Sequence, residues 1–207
     1  MLIIIALLIA GCKPDYEAKN DEDMRVSQLD TTEIDSLKKI ALLAFKEERI
    51  LELWDDDKKE YVKTYYFTGY SGTPGPKLRE GDRQIPEGEY KVVLLNPHSK
   101  YHLSFKLNYP NEFDLEKAGK EGRDNPGGEI FIHGGSETVG CIPIGDEMIE
   151  ELYGLVERVG INNVRVLIFP NDIRGGGNFV RERQNPPWIS ELYGSLKIKL
   201  KDYRKSE

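Results

Sequence analysis

The stretch from Ile130 to Glu147, IFIHGGSETVGCIPIGDE, constrains the fold more than any other part of this chain. A short apolar run ends at His133, glycines follow at 134, 135 and 140, and Cys141 stands eight residues after the histidine. Glycines so placed let the backbone turn tightly and come close to other groups. Beyond the cysteine, Asp146 is a candidate N-cap. The helix it would open is MIEELYGLVERVG, with apolar residues at 148, 149, 152, 155, 156 and 159 and Gly160 as its stop. A strand, a glycine-rich turn bearing a thiol, and an amphipathic helix must follow one another here.

That order has chemical meaning. A nucleophilic thiol needs a base to take its proton, and backbone N–H groups that reach the oxyanion it creates. Cys141 is the candidate nucleophile, His133 the candidate base, and the N–H groups around Gly140 and Cys141 the candidate oxyanion donors. The alternative is that Cys141 is a small buried hydrophobe, as free cysteines often are. A papain-type arrangement is excluded by chain order, because all three histidines precede Cys141.

An I-H-G segment followed by S/T-x-G-C and a helix resembles the catalytic signature of the L,D-transpeptidase (YkuD) family. The spacing of eight resembles its shorter, YafK-like branch. The similarity continues upstream through GPKLREGDRQIPEGEY and LNPHSKYHLSFKLNYPNEFD, and so spans roughly residues 40 to 170. The resemblance implies a mostly β, β-sandwich-like catalytic fold with one clear helix after the cysteine. It implies that Cys141 is the nucleophile and His133 the base. Gly134, Thr138 and Gly140 match positioning or oxyanion residues, and His102, Arg83 and Ser136 are candidate substrate contacts. It further implies attack on a peptidoglycan stem tetrapeptide through a thioester, with no cofactor. Many members carry Arg two residues after the cysteine, where this chain has Pro143. That difference keeps two alternatives open: a hydrolase cutting links from stem peptide to protein or amine, and a non-catalytic wall-binding lipoprotein.

The amino terminus is read separately. Met1 to Ala10 is almost wholly apolar, too short to span a bilayer, and Ile9-Ala10-Gly11-Cys12 resembles a bacterial lipobox. The reading is a signal peptide over 1–11, lipidation at Cys12, an acidic tether over 12–30 and a catalytic domain over 31–207, in a periplasmic, membrane-anchored protein. An ordinary secretory signal or a buried apolar strand is the alternative. Only two cysteines are present, so acylation of Cys12 leaves Cys141 unpaired, which an exported protein tolerates best when the thiol is used. A net charge of −7 with no basic stripe argues against a nucleic-acid partner. The partners expected are stem peptides, a membrane reached through the lipid, and a wall-attached protein in the hydrolytic alternative.

The remaining elements follow from pattern. Thr31 or Thr32 opens a short helix through Ser36. LKKIALLAF fits helix or buried strand, and the resemblance favours a strand. ERILELW and KEYVKTYYFTGY predict a hairpin, and YKVVLL and YHLSFKLNY strands that continue it as a meander. Between them, Gly69 to Gly88 holds five glycines and three prolines and predicts a long ordered loop. In that loop Lys77, Arg79 and Arg83 are candidate carboxylate contacts, and Asp82 and Glu87 candidate turn formers. Asn108 to Gly128 reads as irregular, VRVLIF as a buried strand, and LKIKL as a last strand or a helix end. His98 and His102 share a strand face, but a metal site usually needs three protein ligands and none is expected.

Overall fold

The computed structural model describes residues 31–180 and 185–205. The expected signal peptide, the tether and Cys12 lie outside the described residues.

After a short helix α1 (Thr31–Ser36), strand β1 (Ile40–Phe45) runs through the middle of the molecule. All six of its residues are buried. A strand covered on both faces has no polar side, which is why its sequence reads as one continuous apolar run. Ile40, Leu42 and Ala44 enter one core, while Ala41, Leu43 and Phe45 enter another. The expected hairpin follows as β2 (Ile50–Asp55) and β3 (Glu60–Tyr66). No regular element occurs again until β4 (Gly88–Ser99), which pairs antiparallel with β5 (His102–Leu107). Then come α2 (Glu112–Lys120), β6 (Phe131–His133), β7 (Ile142–Pro143), α3 (Asp146–Val159), β8 (Val164–Phe169) and α4 (Ile189–Leu200).

The strands form one eight-stranded sheet in the order β3-β2-β1-β8-β4-β5-β6-β7. β1 and β8 are parallel, as are β6 and β7. The pairing register of β4 with β5 shifts between Val92 and Leu94, the irregularity that lets a sheet bend. Tyr65 from one half of the sheet and Phe105, Ile132 and Ile142 from the other then share one core with Ile149, Leu152 and Val156 of α3. This is the sandwich-like, mostly β arrangement expected. On the opposite face, Leu192, Tyr193, Leu196 and Leu200 of α4 cover Phe45, Trp54, Leu167 and Phe169.

Two expectations need correction. The two hairpins do not form one meander, because β8 lies between β1 and β4. The Asn108 to Gly128 segment contains α2, started by a capping box: Asn111 Oδ1 accepts from Asp114 N–H at 3.0 Å and Asp114 Oδ2 accepts from Asn111 N–H at 3.0 Å. Its Leu115 is exposed, so no apolar stripe announces the helix in the sequence. Of the two readings open for LKIKL, the structure selects the helix end: it closes α4, where the i, i+3, i+4 spacing of Ile189, Leu192 and Tyr193 prevails over the alternation of LKIKL.

The long loop before β4 is fastened from inside. Lys46, fully buried just after β1, donates to Gly75 O at 2.7 Å, Ile85 O at 2.8 Å and Glu87 Oε1 at 3.0 Å. Glu87, also buried, accepts from Gly75 N–H at 2.7 Å and from the Tyr193 hydroxyl of α4 at 2.9 Å. Glu87 is thus a turn former, as expected, and so is Asp82, which accepts from the N–H groups of Leu78, Arg79 and Gln84. Lys77 is buried and donates to Asp82 at 2.7 Å. Removing one partner of a buried ion pair strands the other charge and costs about 3–5 kcal/mol. Lys46→Ala is expected to lose that much stability in urea unfolding, and a loss below about 1 kcal/mol would show that the pair does not fasten the loop.

Candidate active site

β6 and β7 run parallel, with Ile132 opposite Ile142 and His133 opposite Pro143. Cys141 immediately precedes that ladder and so lies level with Phe131, two residues from His133. At the usual strand rise the offset is about 6–7 Å along the strand. The two residues singled out in the sequence are thus neighbours on adjacent segments.

His133 is held in a defined state. Its Nδ1–H donates to Gly134 O at 2.6 Å, which leaves Nε2 as the nitrogen with the free lone pair. That Nε2 is buried and has no hydrogen-bond partner among the described residues. The Tyr101 ring stacks on the imidazole with centroids 4.6 Å apart and planes at 28°. Burial pushes the imidazole below its ordinary pKa, the Gly134 carbonyl opposes this, and Lys100 adds to the lowering. His133 is therefore neutral near pH 7, with Nε2 basic.

The thiol is neutral as well. Cys141 is half-buried and its sulfur donates to Glu129 O at 3.5 Å. Burial raises its pKa above the ordinary 9.0, against the opposing pull of the Phe131 backbone and Lys77, and the Glu129 carboxylate raises it further. Burial thus favours the neutral forms, thiol and imidazole, over thiolate and imidazolium.

The turn between them is clamped by several segments. A Cβ on Gly134 would lie 2.6 Å from Asp146 Oδ1 and 2.7 Å from Tyr101 O, so only glycine fits. Gly140, at φ +102, would place a Cβ 2.9 Å from Gln84 O. Thr138 Oγ1 accepts from Cys141 N–H at 3.0 Å and donates to Cys141 O at 2.7 Å. Gly140 N–H donates to Ser71 Oγ at 2.8 Å. Asp146 is not the N-cap: Gly145 occupies that position, and Asp146 Oδ1 accepts from Gly135 N–H at 2.7 Å.

His102 is exposed and pairs with Glu150 of α3 at 2.6 Å, while its neighbour Tyr101 covers the imidazole. Arg83 is exposed, next to Gln84, whose carbonyl packs on Gly140. Ser136 is exposed, and its carbonyl is what Gly69 accommodates, since a Cβ there would sit 1.9 Å away. Tyr101 and Ser71 were not singled out by sequence reasoning, because nothing local distinguishes a tyrosine at a hairpin tip or a serine in a glycine-rich loop. No group of three or more His, Cys, Asp or Glu that could hold a metal exists among the described residues.

The profile of the L,D-transpeptidase catalytic domain (YkuD) matches residues 39–168. YafK of Escherichia coli (strain K12) is 29% identical over 177 residues, covering 72% of this chain and 70% of YafK. Among solved structures, the helical cell shape determining protein Pgp2 of Campylobacter jejuni has a TM-score of 0.50 at 23% identity, over 68% of this chain and 54% of Pgp2. A mutant form of Pgp2 gives 0.51 at 24% identity, over 80% of this chain and 56% of the other. This chain spans about half the length of those structures, whose likeness concerns the fold. The profile match extends from the start of the central strand to the end of β8, and the chain belongs to the YkuD family of L,D-transpeptidase catalytic domains.

Proposed function

We propose that the protein is a cysteine-dependent L,D-transpeptidase that acts on peptidoglycan stem tetrapeptides. The observation that carries this reading is the buried, unpartnered Nε2 of His133 one strand away from the Cys141 thiol. A buried polar atom without a partner is costly, and an aromatic ring packed over it keeps water away. Such an atom waits for a proton donor that arrives during the reaction.

In the proposed reaction the Cys141 side chain rotates from Glu129 O toward Nε2, which takes the thiol proton as sulfur attacks the diaminopimelate carbonyl. The tetrahedral intermediate collapses, the C–N bond breaks, and D-alanine leaves with the proton held on Nε2. An amine of a second stem then attacks the thioester, gives a proton to Nε2, and leaves as the cross-linked product while the thiol is restored. Water in place of that amine gives hydrolysis. The buried Pro143 favours this second reading, since it presents no charged group where many members carry Arg.

We extend the proposal to location: Cys12 carries the lipid that holds the protein in the periplasm. Cys12→Ser is expected to release the protein from membranes into the soluble fraction, and persistent pelleting with membranes would point to another anchor.

Cys141→Ala is expected to abolish turnover with the melting temperature little changed. His133→Ala should lose about 10²–10⁴ in rate, the usual worth of a general base. Both are read by mass spectrometry of muropeptides after incubating the full chain with tetrapeptide fragments and with sacculi bearing attached protein. New dimers mark transfer, and released protein without a new bond marks hydrolysis. No Cys141-dependent change in either sample would leave a binding module.

The pH dependence of thiol alkylation tests the resting state. Because burial raises the thiol pKa above 9.0, reaction with iodoacetamide is expected to be slow at pH 7 and to climb above pH 9. A fast plateau between pH 6 and 8 would instead reveal a preformed thiolate–imidazolium pair.

A further inference from the structure

The two backbone N–H groups expected to stabilise the oxyanion are already committed. Cys141 N–H donates to Thr138 Oγ1 at 3.0 Å and Gly140 N–H donates to Ser71 Oγ at 2.8 Å. The two hydroxyls that receive them are not equivalent. Thr138 passes its own proton back to Cys141 O at 2.7 Å, which closes a local ring and leaves it nothing to donate. Ser71 accepts from Gly140, and its proton has no acceptor among the described residues. A hydroxyl carries one donor and two acceptor sites, so Ser71 retains a complete O–H to give.

We infer that the Ser71 hydroxyl is the oxyanion donor of this site, relaying the Gly140 N–H to the acyl oxygen of the tetrahedral intermediate. This rests on the acyl-transfer reading above. Three features support it. Ser71 is 7% exposed, so its donor acts in a dry environment where hydrogen bonds to developing charge are strongest. An O–H that accepts from an N–H is polarised by it and becomes a better donor. The loop that carries Ser71 is fixed at both ends. Gly69 packs on Ser136 O, and further along Thr73 N–H donates to Gln84 Oε1 at 3.0 Å while Lys46 holds Gly75 and Ile85. No covalent bond to Ser71 forms, and its proton stays on oxygen throughout.

The test separates attack on a carbonyl from attack on carbon. Acylation by a stem tetrapeptide passes through an oxyanion, whereas alkylation by iodoacetamide does not. Ser71→Ala in the full chain is expected to slow Cys141-dependent D-alanine release from a disaccharide-tetrapeptide by about 10²–10³-fold, the usual cost of one oxyanion donor. Its iodoacetamide rate should match the unaltered protein from pH 6 to 10. Unchanged or faster release would overturn the inference, because the freed Gly140 N–H would then be the better donor. A parallel fall in alkylation would overturn it too, showing that Ser71 only shapes the turn. If the unaltered protein gives no Cys141-dependent release, the acyl-transfer reading fails and this inference falls with it, an outcome distinct from the other two.

Discussion

The site depends on the ion pair of Lys46 and Glu87. It lies well away from the sulfur in sequence, yet it fixes the segment against which the cysteine turn is built. Lys46 follows the most buried strand of the sheet, and its ammonium reaches two loop carbonyls and one carboxylate. Glu87 joins the same loop to α4 through Tyr193. Burial draws the Lys46 pKa down and Glu87 opposes the fall, so each of the two depends on the other for its charge. Apolar groups of similar volume fill such a space at equal or lower free energy. They cannot, however, satisfy two buried carbonyls and an amide at fixed directions. The pair is best understood as setting the path of a loop without secondary structure of its own, which then supplies Ser71 and the Gln84 carbonyl to Gly140.

From the other side, the β4–β5 hairpin performs the same service for the histidine. Its tip places Tyr101 over the imidazole and the Tyr101 carbonyl against Gly134, and His102 ties the tip to Glu150 of α3. The turn between His133 and Cys141 therefore sits between a pinned loop and a pinned hairpin. Gly134 is required by the crowding of these neighbours, and Gly140 by crowding together with its φ of +102, since the nearest atoms would overlap any Cβ.

This explains which parts were legible in the sequence. His133 and Cys141 are separated by eight residues, and their relation is carried by one strand, one turn and one parallel pairing, all local. Helix α3 has a full apolar stripe and a glycine stop, and the strands of the first hairpin alternate, so both were readable. Helix α2 was missed because its stability comes from caps and ion pairs such as Lys117 with Glu191 rather than from an apolar face. The insertion of β8 beside β1 was missed because two strands buried on both faces look alike whichever neighbour they choose. Lys46, Ser71 and Tyr101 act across 41, 69 and 32 residues of chain. No periodicity records a contact at such separations.

The resting protonation state ties these constraints together. A thiolate is both the reactive and the oxidisable form of cysteine, so a thiol raised by burial is protected from adventitious chemistry at the cost of reactivity. Reactivity must then be generated when substrate arrives. In the proposed reaction that demands a base already neutral and aimed, and desolvation lowers the His133 pKa while the Gly134 carbonyl fixes which nitrogen is free. It also demands donors already in place for the charge that moves from sulfur to oxygen, because a site that must reorganise at that moment loses the electrostatic advantage of being dry. In the proposed reaction the buried frame of Lys46, Glu87 and Ser71 answers that demand, since groups so enclosed have little freedom to reorganise.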